Sequence, residues 1–199
     1  MGNQFIVLDF DKTLYRKDSL IAFHLFCLHK NPLLICWFPF QLFSYLLHSI
    51  KLISTQQFKN CYLLFLSFFS EKAIQHKARL FWEREFPNQF NEELLSLISN
   101  SSERIVIITA SPVLYIQPLL TKLPNLTLLG TNLKNEKGVY IIEGQNCKGN
   151  EKVIRFKQTF GNDCIISKAY SDCLTDLPIL ALANEAFIVN ENDIRPFKN

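Results

Sequence analysis

The sequence predicts an α/β fold: a mainly parallel sheet flanked by helices, with an all-helical cap inserted after the first strand. Three observations predict it. Short apolar runs of strand type recur along the chain, separated by helix-like stretches, which implies a sheet covered on both faces. The segment Asp18–Phe86 carries no strand signal. Polar residues follow the strand-like runs directly, as expected where strand ends of an open parallel sheet line one crevice.

Bulk properties bound the reading. A chain of 199 residues, 48% hydrophobic and 20% charged, can bury a core and is not disordered. That length suits one domain or a domain with an insertion. The net charge of +3 argues against a nucleic-acid partner. Six cysteines show no C-x-x-C pair and no zinc-like spacing, so reduced thiols and a cytoplasmic location are expected. Met1-Gly2-Asn3-Gln4 lacks a basic leader region, and Asp9 interrupts the first apolar run early, so no signal peptide is expected. Met1-Gly2 is the opening of a myristoylation signal, but Phe5 to Val7 supply no Ser or Thr where one is wanted.

The elements follow in order. Gln4–Leu8 is short, β-branched and aromatic, a buried strand. Glu71–Phe86 is an amphipathic helix capped by Ser70, with Ile74, Ala78, Phe81 and Trp82 on one face and Pro87 at its end. Asn91 caps a helix to Ser99, with Glu92 and Glu93 where the dipole favours them. Arg104–Thr109 is a second buried strand. Ser111-Pro112 opens a helix with Pro at its first position, and Pro118 kinks or ends it. Leu126–Leu129 is strand-like, and Lys134–Glu143 is a hairpin turning over Asn135 to Gly138. Asn150 caps a helix over Glu151–Thr159. Cys164–Tyr170 and Phe187–Val189 are further strands, with a helix over Leu177–Ala183 between them.

Four polar elements stand at strand ends or helix starts: Asp9 with Asp11, Thr109-Ala110-Ser111, Lys152, and Asp172 with Asp176. Two carboxylates one residue apart at the end of a buried strand need a cation or a shared proton. Carboxylates from two strand ends make a hard oxygen site suited to Mg²⁺. A lysine, a hydroxyl and the backbone N–H groups of the Thr109–Ser111 turn supply donors for phosphate oxygens. An Asp can attack phosphorus, and a second Asp can move the proton. Phosphoryl transfer fits this set.

These residues resemble the haloacid dehalogenase (HAD) superfamily of phosphohydrolases. Its D-x-D-x-T motif matches Asp9-Phe10-Asp11-Lys12-Thr13, and its Thr or Ser after an apolar strand matches Thr109. Its lysine near a helix start matches Lys152, with Lys148 as the rival, and its D-x-x-x-D matches Asp172 to Asp176. T-A-S-P and Y-S-D-x-x-x-D-L-P-I-L look like the phosphoserine-phosphatase-like branch (subfamily IB), whose helical cap follows the first motif. The resemblance implies a Rossmann-like core over 1–14 and 89–199 and a cap over 15–88, very apolar over 19–70. It implies Asp9 as nucleophile and Mg²⁺ ligand, and Asp11 as general acid/base with its backbone carbonyl on the metal. Asp172 would ligate Mg²⁺ directly, with Asp176 acting directly, through water or from behind. Thr109, Ala110 and Lys152 would hold the phosphoryl group, and Lys152 would keep Asp9 ionised. Asp18 and Ser111 are candidates for the substrate's other end. Lys12 departs from the small or apolar residue commoner in the motif.

The segment Asp18–Ser70 has as its only formal charges Asp18, Lys30, Lys51 and Lys59. Within it Asn31–Ile50 is long enough in principle to span a bilayer, but Pro39 breaks it. The readings are a self-packing cap or one that dips into a membrane surface, where Trp37, Phe38, Phe40, Phe43 and Tyr45 suit an interface. Some members of the branch dephosphorylate phospholipid precursors, as HAD-type phosphatidylglycerophosphatase does, and this apolar cap looks like theirs. The expected activity is Mg²⁺-dependent hydrolysis of a phosphomonoester with an apolar tail, at the inner face of the membrane. A small phosphoserine-like substrate and a non-catalytic membrane module are the alternatives. His24, His29, His48 and His76 lack ligand-like pairing and are expected to be structural or superficial.

Overall fold

The computed structural model describes residues 4–191 and 193–197. The Met1-Gly2 opening lies outside the described residues.

Strand β1 (Gln4–Leu8) is followed by five helices, α1 (Ser19–Lys30), α2 (Phe38–Ser49), α3 (Thr55–Leu63), α4 (Glu71–Glu85) and α5 (Glu92–Asn100). Then come β2 (Arg104–Pro112), α6 (Val113–Ile116), β3 (Leu126–Thr131), the hairpin β4 (Leu133–Glu136) and β5 (Val139–Ile142), and α7 (Asn150–Phe160). The chain closes with β6 (Ile165–Ser171), α8 (Leu177–Leu180), β7 (Ala183–Asn190) and β8 (Asp193–Phe197).

The sheet order is β3-β2-β1-β6-β7-β8, parallel except for β8. Strand β1 sits between β2 and β6, with Leu8 level with Ile107 on one side and Tyr170 on the other. The residues after these three strands therefore reach the same edge. That point is where strand order reverses, the usual place for a ligand crevice in such sheets.

Strand β1 alternates between two cores. Phe5 and Val7 face α7, where Phe5 meets Phe156 edge-on at 5.4 Å. Ile6 and Leu8 face the helices that follow β1. There Phe10, Tyr15, Trp82 and Phe90 pack ring on ring, and Phe23 stacks on Tyr115 at 4.9 Å. Trp82 Nε1–H donates to the Tyr115 carbonyl at 2.6 Å. The helical block and this face of the sheet thus share one continuous core.

Several boundaries differ from expectation. Strand β2 runs through Ser111 to Pro112, so the helix opens at Val113. The Ser111 hydroxyl is drawn to Asp11 at 2.5 Å rather than to a cap. The cap position of α7 is Gly149, at φ +59, and Asn150 is already helical. The helix after Asp176 lasts one turn, and Ala183 begins β7. The antiparallel edge strand β8 was not foreseen, because it pairs Arg195 and Pro196 with β7 and carries no apolar run. Pro196 on an edge costs no ladder bond that a neighbour would need.

The long apolar stretch is broken. Pro32–Trp37 forms a 3₁₀ turn and α2 starts afresh at Phe38, with Pro39 in its first turn. No helix among the described residues is long and apolar enough to cross a membrane. Helix α2 is also inverted. Gln41 and Ser44 are buried at 6% and 2% exposure, while Phe43 and Leu46 stand 58% and 53% exposed.

Candidate active site

Asp9 leaves β1 with its N–H bonded to the Tyr170 carbonyl at 2.9 Å, which extends the β1–β6 ladder to the sheet edge. Lys152, in the first turn of α7, places Nζ 2.5 Å from Asp9 Oδ1 and 2.6 Å from Asp176 Oδ2. It is 3% exposed. Asp176 Oδ2 also accepts from the Ser171 hydroxyl at 2.7 Å. Asp176 stands at the cap position of α8, but its carboxylate makes no capping bond and turns to Lys152 instead.

Asp11 faces the other way. Its Oδ1 accepts from the Ser19 backbone N–H at 2.7 Å, and its Oδ2 from the Ser111 hydroxyl at 2.5 Å. Thr109 Oγ1 lies 3.5 Å from Asp11 Oδ2 and accepts from the Ser111 N–H at 3.0 Å. Asp172 follows β6, with its N–H bonded to Thr13 Oγ1 at 2.9 Å. The Thr13 hydroxyl points to Asp9 Oδ2 at 3.5 Å, so one threonine ties the first and last motifs together. Asp18 caps α1, accepting from the Ile21 N–H at 3.0 Å.

Three residues in this cluster were missed as site residues, Lys59 first among them. Lys59, on α3, reaches from the helical block to the Ala110 carbonyl at 2.5 Å and Asn146 Oδ1 at 2.7 Å. The available signal was its isolation, as one of four formal charges across Asp18–Ser70. The other two are Ser19 and Tyr115; the Ser19 hydroxyl bonds both Ser111 and Tyr115, at 3.2 and 3.0 Å.

Burial dominates the electrostatics. It pushes the Asp9 carboxyl up to about 7; Lys152 pulls against this, and the charges of Asp176 and Asp11 add to it. Burial also raises Asp11, opposed by the bonds from Ser111 and Ser19, and raises Asp172, opposed by Lys12. For Lys152 burial works downward, but Asp9 and Asp176 overcome it and hold the ammonium charged. Lys59 is pushed down to about 8 by burial, with Asp11 and Asp18 opposing.

The strand-end carboxylates, the buried lysine and the hydroxyls thus meet at one sheet edge. The profile of haloacid dehalogenase-like hydrolases matches residues 6–181. The chain belongs to the haloacid dehalogenase-like hydrolase family. It is 30% identical to Protein CicA of Caulobacter vibrioides (strain NA1000 / CB15N), covering 93% of this chain and 86% of that protein. The fold resembles a protein of unknown function from Bordetella pertussis Tohama I, with TM-score 0.77 and 16% identity over 94% of this chain and 89% of that one. It also resembles a phosphoserine phosphohydrolase-like protein from Francisella tularensis subsp. tularensis SCHU S4, with TM-score 0.58 and 20% identity over 94% and 86%. As a member of this hydrolase family the chain is an enzyme with a HAD-like Rossmannoid sheet.

Among the described residues no three His, Cys, Asp or Glu side chains form a ready metal cage. The reason is local: Asp11 is engaged by Ser19 and Ser111, and Asp176 by Lys152 and Ser171. Lys152 holds Asp9 through Oδ1, so Asp9 Oδ2 and the Asp172 carboxylate remain, all-oxygen donors of the kind Mg²⁺ takes. Burial raises Asp9, Asp11 and Asp172 together, so a cation bound among them would relieve the cost of ionising them. These residues fit a divalent cation.

Proposed function

We propose that this chain is a Mg²⁺-dependent phosphomonoester hydrolase that carries the phosphoryl group on Asp9. The observation that carries the reading is Lys152, buried between Asp9 and Asp176 at the edge where the β1, β2 and β6 ends meet. Such a lysine favours the ionised form of a buried carboxylate against the pull of burial, and the ionised carboxylate is the nucleophile.

An Asp9 carboxylate oxygen attacks phosphorus and the ester P–O bond breaks. Asp11 gives its proton to the leaving alkoxide; its raised pKa suits that donor role. Asp11 then takes a proton from water, which attacks the phosphorus of the Asp9 acyl phosphate. Phosphate leaves and both carboxyls are restored. Thr109, the Ala110 N–H and Lys152 hold the phosphoryl oxygens. Asp9, Asp172 and the Asp11 backbone carbonyl would hold Mg²⁺, with Asp176 supporting through Lys152. When bound, the cation would neutralise charge on the transferring group.

The helical block acts as a cap and selects the leaving group. Its outward apolar side chains favour a lipid phosphomonoester, such as phosphatidylglycerophosphate, at the inner membrane face. A second reading, a phosphoserine-like substrate, draws on Asp18 and Lys59, opposite charges on the cap beside Asp11. Phosphate release from phosphatidylglycerophosphate, phosphoserine and p-nitrophenyl phosphate, with Mg²⁺ and with chelator, separates them. A preference of at least about tenfold for the lipid is expected, as differential binding of an acyl tail allows. Preference for phosphoserine overturns the substrate class. Absence of Mg²⁺-dependent release from all three overturns the hydrolase.

Lys59 supplies a further prediction. Its partners in the structure are neutral oxygens, so an incoming anion gains a charge-assisted bond to it. Replacement by Ala raises KM about tenfold or more, the usual cost of one hydrogen bond to a charged group. With its pKa lowered to about 8, Lys59 is a cation below that value and neutral above it. Asp11, Asp18 and Cys147 hold the proton on, and Lys148 works against them. Wild-type KM should therefore climb above about pH 8, and Lys59→Ala should flatten that limb. An identical pH dependence of KM in the two proteins would refute the assignment.

A further inference from the structure

Helix α2 is built inside out for a helix in water. A surface helix ordinarily turns its apolar face inward and its polar face to solvent. Here the inward residues are Gln41 and Ser44, and each makes a hydrogen bond. Gln41 Nε2 donates to the Tyr62 carbonyl at 3.4 Å, and Ser44 Oγ to the Gln41 carbonyl at 2.8 Å. The outward residues are Leu42, Phe43, Tyr45 and Leu46, all about half exposed or more. The flanking chain continues the pattern, with Leu33 at 79% exposure and Ile50 and Leu52 nearly as open.

The charges point to what covers this face. Residues 19–70 contain no Asp or Glu. Exposed Lys30 lies just before the apolar stretch and exposed Lys51 just after it. A second copy of this chain would bring more lysine and no carboxylate from this segment to answer it. An anionic surface answers both lysines while taking up the apolar side chains. Length sets the orientation. The 12 residues of α2 rise about 18 Å, well short of the ~30 Å hydrocarbon core, so the helix lies in the plane rather than across it.

We infer that the outward apolar face of residues 33–52 docks in the plane of an anionic lipid bilayer, with Lys30 and Lys51 on the headgroups. Helix α2 packs on α3, and α3 carries Lys59 to the Ala110 carbonyl. The docked surface and the site are thus one helix apart, close enough for a lipid headgroup to be drawn from the bilayer to Asp9. That last step rests on the proposed lipid-phosphate activity; the docking does not.

The test is co-sedimentation of the full chain with phosphatidylcholine vesicles, with and without phosphatidylglycerol. Wild type should pellet with the anionic vesicles. Phe43→Glu with Leu46→Glu should cut partition at least about tenfold, from the apolar area lost. Lys30→Glu with Lys51→Glu should cut it at least about tenfold on anionic vesicles alone. Both double variants should turn over p-nitrophenyl phosphate at the wild-type rate, since none of the four residues touches the site; the same rate shows that they fold. Wild type remaining in the supernatant with both vesicle types overturns the inference. So does a wild-type dimer, seen by light scattering, that Phe43→Glu with Leu46→Glu splits into monomers. The sedimentation readout does not depend on turnover, so a failure of docking and a failure of the hydrolase reading are told apart.

Discussion

Asp9→Asn abolishes phosphate release, to below about a thousandth of the wild-type rate, toward any phosphomonoester. The amide is nearly isosteric with the carboxylate but is not a nucleophile toward phosphorus. Packing around it changes little, because Asp9 sits at the end of β1 with its backbone N–H held by Tyr170. The variant also removes one of two buried carboxylates on Lys152 and leaves the other, Asp176, in place at 2.6 Å. Its melting temperature should therefore match or exceed that of the wild type. Steady-state release of p-nitrophenol and a thermal melt check both halves. Turnover within tenfold of wild type would sink the Asp9 mechanism, whatever the substrate.

Lys152→Met has the largest expected effect on stability. Methionine fills much of the space but leaves Asp9 and Asp176 facing each other without the cation that bridges them at 2.5 and 2.6 Å. Breaking a buried pair by removing one partner costs about 3–5 kcal/mol. For a chain of this size that lowers the melting temperature by roughly 10 °C. The pH dependence has a definite sign. A carboxyl whose folded pKa is raised binds a proton that the unfolded chain has already lost, so stability falls as pH rises between the two values. In the wild type the Asp9 window runs from 3.8 to about 7. In Lys152→Met it extends further upward, so the deficit against wild type should shrink at about pH 5 and widen at about pH 8. Adding Asp176→Asn removes the second carboxylate and should restore most of the lost stability. A double variant no more stable than the single one would show that the cost is packing and not charge.

The sheet was legible because buried parallel strands are short, apolar and bounded by polar residues. The helix of Glu71 to Glu85 was legible because Ile74, Ala78, Phe81 and Trp82 recur at helical spacing. The meeting of Asp9, Asp11, Thr109, Lys152 and Asp176 followed from the same logic, since each stands at a strand end or a helix start. Lys59 escaped because its partners, Ala110 and Asn146, are far away in sequence and no local motif marks it. Exposed apolar side chains at Phe38, Phe40, Phe43 and Tyr45 fit the expected interface, but the burial of Gln41 and Ser44 beneath them escaped for a different reason. Periodicity tells which residues share a face, but only packing tells which face is turned inward. Gly149 displaced Asn150 from the cap of α7 because the chain enters that helix through a positive φ. Strand β8 has too few apolar residues to register in the sequence and is visible only through its pairing with β7.

The shared core under Ile6 and Leu8 bears on how this enzyme can change over time. Side chains of the helical block, Phe23, Phe81 and Trp82 among them, belong to the same packed cluster as the face of β1. Replacing the block wholesale with another would strip that face and require a new jigsaw fit against it. With the block as the proposed cap, new leaving-group preferences are reached by small steps on surfaces that the core does not use. The outward side of α2 and the end of α3 can drift one residue at a time while Asp9 and Lys152 stay put.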